Sequence, residues 1–467
     1  MLPYLATFAE EYAVLAPLDA LSPLDGRYAA DTAPLRGYLT EAALYRARVQ
    51  VEVEYLIFLA RSPRIPFVAA LDAAQQGALR ALYRQWTPED AAAIAAWDRR
   101  VNHDVKAVEY WLRERLTALE LGAWNEMLHW ALTSEDVNNL AYALLVRGAR
   151  DNVLVPAVRD IYTLLRELAV EYAELPMLAR THGQPATPTT VGKELNVFAH
   201  RLGKANDAVN QIVLSGKLNG ATGTYAAHVA ALPTVDWPRF SQAFLKFLEL
   251  EPTMLTTQIE PHDTLAELCD ALRRVNVILL DLDMDMWRYI SDGYFGQRMA
   301  ANEVGSSTMP HKINPIDFEN SEGNLHVANA LLELLSRKLP VSRLQRDLSD
   351  STVLRTLGSA FGHSLVAYRR TLRGLGKIEP NVERLQADLQ AHPEVLAEAI
   401  QTILRREGYP EPYEVLKQLT RGRTPSLDDI RQFVQTLDVA PAVKAELAAL
   451  TPENYTGLAA TLARLQP

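Results

Sequence analysis

Apolar residues recur at intervals of three and four over long stretches of the chain, most clearly in its middle. Val158, Ile161, Leu165, Leu168 and Tyr172 form one such set. Val191, Leu195, Phe198, Leu202, Ala205, Val209 and Ile212 form a second, and Leu265, Leu268, Leu272, Val275, Leu279, Leu282 and Met286 a third. The last two hold a heptad seam for about three heptads, the spacing that lets helices pack side by side. Each predicts a helix of roughly 30–40 Å. Val277, Ile278 and Leu280 widen the apolar face of the third set beyond a seam, a surplus that suits burial against other subunits.

Further helices are predicted at 41–61, ended by Pro63 and Pro66, at roughly 68–85, at 88–119 with a break at Val101-Asn102-His103-Asp104, and at 317–338 and 350–378. Beyond about 380 the helices shorten, punctuated by Pro393, Gly408-Tyr409-Pro410, Gly422 and Pro425. No alternation of strand and helix patterns, internal repeat or low-complexity tract interrupts this texture. The expected fold is all-α, in three helical domains: an N-terminal domain over 1–122, a central long-helix bundle over 123–378 and a small C-terminal domain over 379–467.

Composition narrows the function. Hydrophobic residues make up 48% and charged residues 22% of 467 residues, an ordinary soluble balance. A net charge of −10 opposes broad nucleic-acid binding but leaves room for a local cationic pocket. Cys269 is the single cysteine, so no disulfide forms within the chain, no Cys/His metal set exists, and a reducing cytoplasm is the expected compartment. Its apolar helical surroundings make it a core residue rather than a nucleophile. Residues 1–20 read as an extra N-terminal segment. With Glu10 and Glu11 and no basic start, it is a poor secretory signal. No run of about eighteen uncharged apolar residues occurs, so no membrane partner is expected.

Polar residues cluster in a few loops. Gly305-Ser306-Ser307-Thr308-Met309-Pro310-His311-Lys312-Ile313-Asn314-Pro315 combines hydroxyls, a cation and an amide with residues that oppose regular structure. It reads as a loop that grips an anion, although a polar surface loop has the same residues. Arg180-Thr181-His182-Gly183-Gln184-Pro185 sets a histidine in a turn before a helix, where it is either structural or a proton donor. Thr133-Ser134-Glu135-Asp136-Val137-Asn138-Asn139 is a helix start or a cleft lining. Asn102, His103 and Asp104 cap a helix or line a cleft. Gln258 can bind a carboxylate or a base edge, whereas Asp263 in the same stretch reads as a helix cap. Arg346, Ser351 and Arg355, near a helix start, suit a phosphate or form an exposed salt-bridged end. Arg27 and Tyr28 are solvated loop residues or phosphate contacts. With a histidine, a loop serine and anion grips but no metal set, these parts suit elimination beside a carboxylate: a base removes the proton, cations and N–H groups hold the charge, and an acid protonates the leaving nitrogen.

The strings SPLDGRY, RVQVEVE, NHDVKAVEY, TSEDVNN, RTHGQPATP, TTQIEPHD, GSSTMPHKINPIDFENSEGN and QRDLSDSTVLR, in this order, resemble the adenylosuccinate lyases of the fumarase/aspartase superfamily, most of all the bacterial long-form subgroup. The resemblance implies a homotetramer around the central bundle, with active sites shared between subunits. It also implies cleavage of adenylosuccinate to AMP and fumarate, and of the succinylated aminoimidazole carboxamide ribotide (SAICAR) to AICAR and fumarate. By position, His182 matches the general acid, Ser306 the loop base and Glu319 the carboxylate that orients the histidine. Lys312, Asn314, Ser307 and Gln258 match binders of the succinyl carboxylates, with Thr133 and Ser134 in the same region. Arg27, Tyr28, Arg346, Ser351, Thr352 and Arg355 match nucleotide and phosphate contacts. Asn102, His103 and Asp104 match another substrate-lining strip. No cofactor and no metal is implied. The chain departs from the family in its N-terminal segment and in having Asn302 where a glycine is commoner before Glu303. Two other readings are an argininosuccinate-type lyase, which has no use for a phosphate set, and a helical scaffold without catalysis.

Overall fold

A computed structural model describes residues 17–62, 64–65, 70–298, 309, 312–420 and 425–466. Ser306 and Ser307, expected as base and carboxylate binder, lie outside these residues. The described chain is helical, with four two-stranded pairs as its only sheets. This agrees with the all-α expectation. The longest of the described helices are α1 (Glu41–Ala60), α2 (Asp104–Ala118), α3 (Ser134–Ala149), α4 (Val155–Glu171), α5 (Val191–Gln211), α6 (Asp263–Ser291), α7 (Ile316–Lys338) and α8 (Leu357–Leu375). None of the described helices is long and apolar enough to cross a membrane.

Every member of the second and third apolar sets is buried, all on α5 and α6 except Ile212, which follows the end of α5, as the 3.6-residue period requires. Cys269 lies among them, and burial pushes its thiol up to about 12, which suits a core residue. Val277 stays about half exposed while Ile278 is buried, so the widened face of α6 is only partly covered within the chain.

The chain forms two compact units, one of residues 1–157, 207–276 and 324–367, the other of 158–206, 277–323 and 368–467. In the first unit α1 packs on α3 and on the helix Ala73–Arg84. It is buried almost all round yet carries Arg48, Glu52 and Glu54 into the core. Buried charges need partners, and each has one. Arg48 meets Asp104 at 2.6 Å, Glu52 meets His129 at 2.6 Å, and Glu54 takes two bonds from Arg80 and one from Tyr83. Asn276 of α6 donates to Asn329 of α7 and Ser364 of α8, tying three helices inside this unit.

In the second unit Gly192 lies in the first turn of α5, and a Cβ there would stand 2.2 Å from the carbonyl of Ala169 on α4. Only glycine permits that approach. The short helices beyond residue 390 close a core of their own around Leu396, Ile400, Leu404, Ile430 and Val434. Asp283 of α6 is 1% exposed and accepts from Thr371 of α8 at 3.0 Å, and Thr371 also bonds Ser321 of α7. Burial pushes the Asp283 carboxyl up to about 8. In the unfolded chain it titrates near 4, so the folded state binds this proton more tightly and loses stability as pH rises from about 4 through about 8. The Asp283→Asn variant removes the charge that the core resists. It is expected to unfold at higher urea than the parent at about pH 8, by at least about 1 kcal/mol, and to show a smaller difference at about pH 5.

Candidate active site

The N-termini of α2 and α3 open onto a cleft of ≈ 560 Å³ in the first unit. Both starts are built by local chemistry. Asn102 ends the helix Pro88–Val101 in the left-handed region with φ 51, and the ring Nδ1 of His103 then accepts from the Lys106 amide at 3.1 Å to cap α2. Capping therefore falls to His103, while Asn102 terminates the preceding helix. Thr133 caps α3 through a reciprocal box with Asp136. Two helix N-termini facing one cleft favour an anion there.

Lys217 and Asp136, both 0% exposed, fix the Thr133 turn from behind. The Asp136 carboxylate accepts from the amides of Thr133, Asn219 and Gly220. The Lys217 ammonium lies 3.2 Å from Asp136 and donates to the carbonyls of Gly220 and Gln258. One ion pair thus sets both the Thr133–Ser134 turn and the Gln258 backbone at the cleft wall.

Nine of the residues singled out from the sequence line this cleft: Asn102, His103, Asp104, Thr133, Ser134, Gln258, Arg346, Ser351 and Arg355. The segment 342–355 brings in the last three. Arg355 donates to Glu41 and to the Ser351 carbonyl and lies 3.6 Å from Asp104. Burial raises the Asp104 carboxyl, but Arg48, the Val105 amide and Arg355 outweigh it and hold it below the usual range. Arg346 reaches Glu135 at 3.1 Å and Asp350 at 3.7 Å. Glu135 and Asn138, from the Thr133–Asn139 strip read as a helix start or a cleft lining, also line the cleft, while the sequence reading missed Arg48, Asp98 and Tyr142. A signal existed for Arg48, a cation inside the apolar run of α1, where it donates to Asn138 and Asp104.

Other expected site residues lie elsewhere. Arg27 is exposed, Tyr28 precedes the short helix Ala29–Thr32, and neither lines the cleft, nor does Thr352. His182 belongs to the second unit. It is exposed at the tip of a hairpin pairing Arg180–Thr181 with Gln184–Pro185. His182 and Gly183 have φ of 54 and 76, the positive pair that a tight two-residue hairpin turn needs. Glu319 accepts from the Trp287 indole at 3.0 Å. No hydrogen bond joins it to His182 among the described residues. Lys312 is exposed and Asn314 half-buried just before α7.

Glu135, His262 and Asp350 form a buried group whose donor atoms lie within 4.8 Å of one another. Arg346 stands against two of them, so the protein itself supplies the positive charge there.

The chain matches the family described as "Lyase" over residues 26–329 and "Adenylosuccinate lyase C-terminal" over 342–456. It is 50% identical to adenylosuccinate lyase of Escherichia coli K12 over 96% of this chain and 98% of that one. It is 47% identical to the enzyme of Dictyostelium discoideum over 94% and 97%. In fold it is similar to a fumarate lyase from Mesorhizobium sp. BNC1, with a TM-score of 0.73 at 18% identity over 92% and 96% of the two chains. The chain belongs to the adenylosuccinate lyase family of the fumarase/aspartase superfamily.

Proposed function

We infer that the chain cleaves adenylosuccinate to AMP and fumarate, and SAICAR to AICAR and fumarate. The observation that carries this reading is the cleft itself. It gathers Arg346, Ser351 and Arg355 with Thr133, Ser134 and Gln258 at two helix N-termini. One set suits a phosphate and the other a carboxylate. An argininosuccinate-type substrate would leave the first set without use. We assign His182 as the acid that protonates the leaving nitrogen, Ser306 as the base that takes the proton beside a carboxylate, and Glu319 as the carboxylate that orients the histidine. Lys312, Asn314 and Ser307 hold the succinyl carboxylates. Arg27, Tyr28 and Thr352 join the nucleotide contacts. No step calls for a cofactor.

The same reading makes the enzyme a cytoplasmic homotetramer with active sites shared between subunits. Val277, Met284 and Trp287 on α6 and Val327 and Leu334 on α7, all at least a third exposed, support a further surface of burial. The division at 1–122, 123–378 and 379–467 is kept as the domain proposal, supported at its C-terminal end by the separate core beyond residue 390.

The deciding experiment supplies the purified chain with adenylosuccinate, and separately with argininosuccinate, and follows both products by chromatography. Equal release of AMP and fumarate from the purine substrate alone is expected. Turnover of argininosuccinate instead, or of neither purine substrate, would overturn the reading. Arg355→Ala is expected to weaken AMP inhibition about 10- to 100-fold, the value of a charge-assisted bond, and to leave fumarate inhibition nearly unchanged. Equal loss for both products would remove its phosphate role.

A further inference from the structure

Glu135 and Asp350 face one guanidinium from two different segments, and the space behind them is closed. Glu135 is 2% exposed and Asp350 is 2% exposed. Arg346 lies 3.1 Å from the first and 3.7 Å from the second. His262, 4% exposed, stands within 4.8 Å of both carboxyls. Asp136 and Lys217 face Glu135 from α3 and from the 215–220 strip. Three polar atoms around this point have no hydrogen-bond partner among the described residues: Arg346 Nε, Asp350 Oδ2 and His262 Nε2. Two carboxylates in so small a buried space repel, and one cation cannot neutralise both and still attract a third anion. Yet Arg346 lines the cleft, where a phosphate is to bind.

We propose that Glu135 is a positioning residue for Arg346: buried beside Asp350, it keeps its proton at neutral pH, leaving the guanidinium able to hold a substrate phosphate, and its ionisation at alkaline pH weakens that hold. The inference rests on the phosphate role given to Arg346 above. Burial pushes Glu135 up to about 8, with Arg346 and Lys217 pulling the other way and Asp350 and Asp136 adding to the rise. Burial also drives His262 down to about 4, so the imidazole is neutral and adds no cation to the pair. A protonated Glu135 still accepts from Arg346 through its carbonyl oxygen, so the guanidinium keeps its orientation while the pair carries one charge instead of two. When Glu135 ionises, Arg346 is left between two charges, and a phosphate in the cleft meets a net negative wall.

The test compares the whole enzyme with E135Q, D350N and R346A, measuring KM for adenylosuccinate and inhibition by AMP and by fumarate from about pH 7 to about pH 9. In the parent, KM and the AMP constant are expected to rise by up to about tenfold across this range, as a group titrating near 8 becomes roughly nine-tenths ionised. E135Q removes the ionisable group, so whatever its KM at neutral pH, its KM and AMP profiles should stay flat above it. D350N removes the other carboxyl and should flatten the same profile. It decides the matter alone if E135Q does not fold. Fumarate inhibition should change with pH alike in all of them. Parallel KM profiles in the parent and both carboxyl variants, with R346A still losing AMP affinity, would overturn the positioning role and leave the phosphate reading intact. An R346A enzyme with normal AMP affinity would overturn the phosphate reading itself. A stoichiometric metal found in the parent and lost from E135Q and D350N would also overturn the proposal.

Discussion

Replacing His182 with asparagine is expected to lower kcat on adenylosuccinate by about 100- to 10,000-fold while leaving fold and assembly as they are, the usual loss when a general acid is removed. The choice of replacement follows from the backbone. His182 holds φ at 54 in a two-residue hairpin turn. Asparagine tolerates that region, whereas alanine costs about 1–2 kcal/mol there and would mix a backbone effect into the result. The side chain is exposed at the hairpin tip, so no packing is lost with it. Circular dichroism and sedimentation should therefore match the parent. Product release measured by chromatography gives kcat, and near-normal turnover would remove His182 as the acid. The loss should fall on kcat more than on KM, because proton donation to the leaving nitrogen counts only in the transition state.

The helices of this protein are legible because their signal is physical and local. A residue at every third or fourth position must face the same side, and Leu265 to Met286 are buried for that reason. The Thr133–Asp136 box is legible too, since the capping geometry fixes a spacing of three. The candidate site is legible only where polar residues interrupt a pattern. His103, Ser134, Arg346 and Arg355 stand at helix starts and loops, and the chain brings them to one cleft. Tyr142 stays hidden because it sits inside a helix, and nothing local marks which helical residue borders a cavity. Lys217 is hidden for a different reason. It lies in a short non-helical strip with no periodic pattern, and its burial depends on Asp136, 81 positions earlier. Glu319 is legible from its motif alone, and no local signal marks its partner. Its position matches, while its hydrogen bond in this chain goes to Trp287.

The second large effect concerns the buried pair of Lys217 and Asp136. Lys217→Met is expected to destabilise the protein by about 3–5 kcal/mol, because it leaves the Asp136 carboxylate fully buried without its cation. Methionine fills nearly the same volume as the lysine stem, so the loss is electrostatic rather than a cavity. The Asp136 carboxylate keeps its three amide donors, which holds the effect to this range. Burial already lowers the affinity of Lys217 for its proton, with Asp136 opposing, so the pair stands only while each partner holds the other. The double variant Asp136→Asn with Lys217→Met should therefore cost less than the sum of the two single changes, since neither charge is left alone. Denaturation midpoints of the parent, the two single variants and the double variant measure the coupling. A fully additive result would mean that the two residues act separately. Activity should fall along with stability in the single variants, with KM rising, because the same contacts set the Thr133–Ser134 turn and the Gln258 backbone. A destabilised variant with an unchanged KM would show that this pair supports the fold without placing the cleft wall.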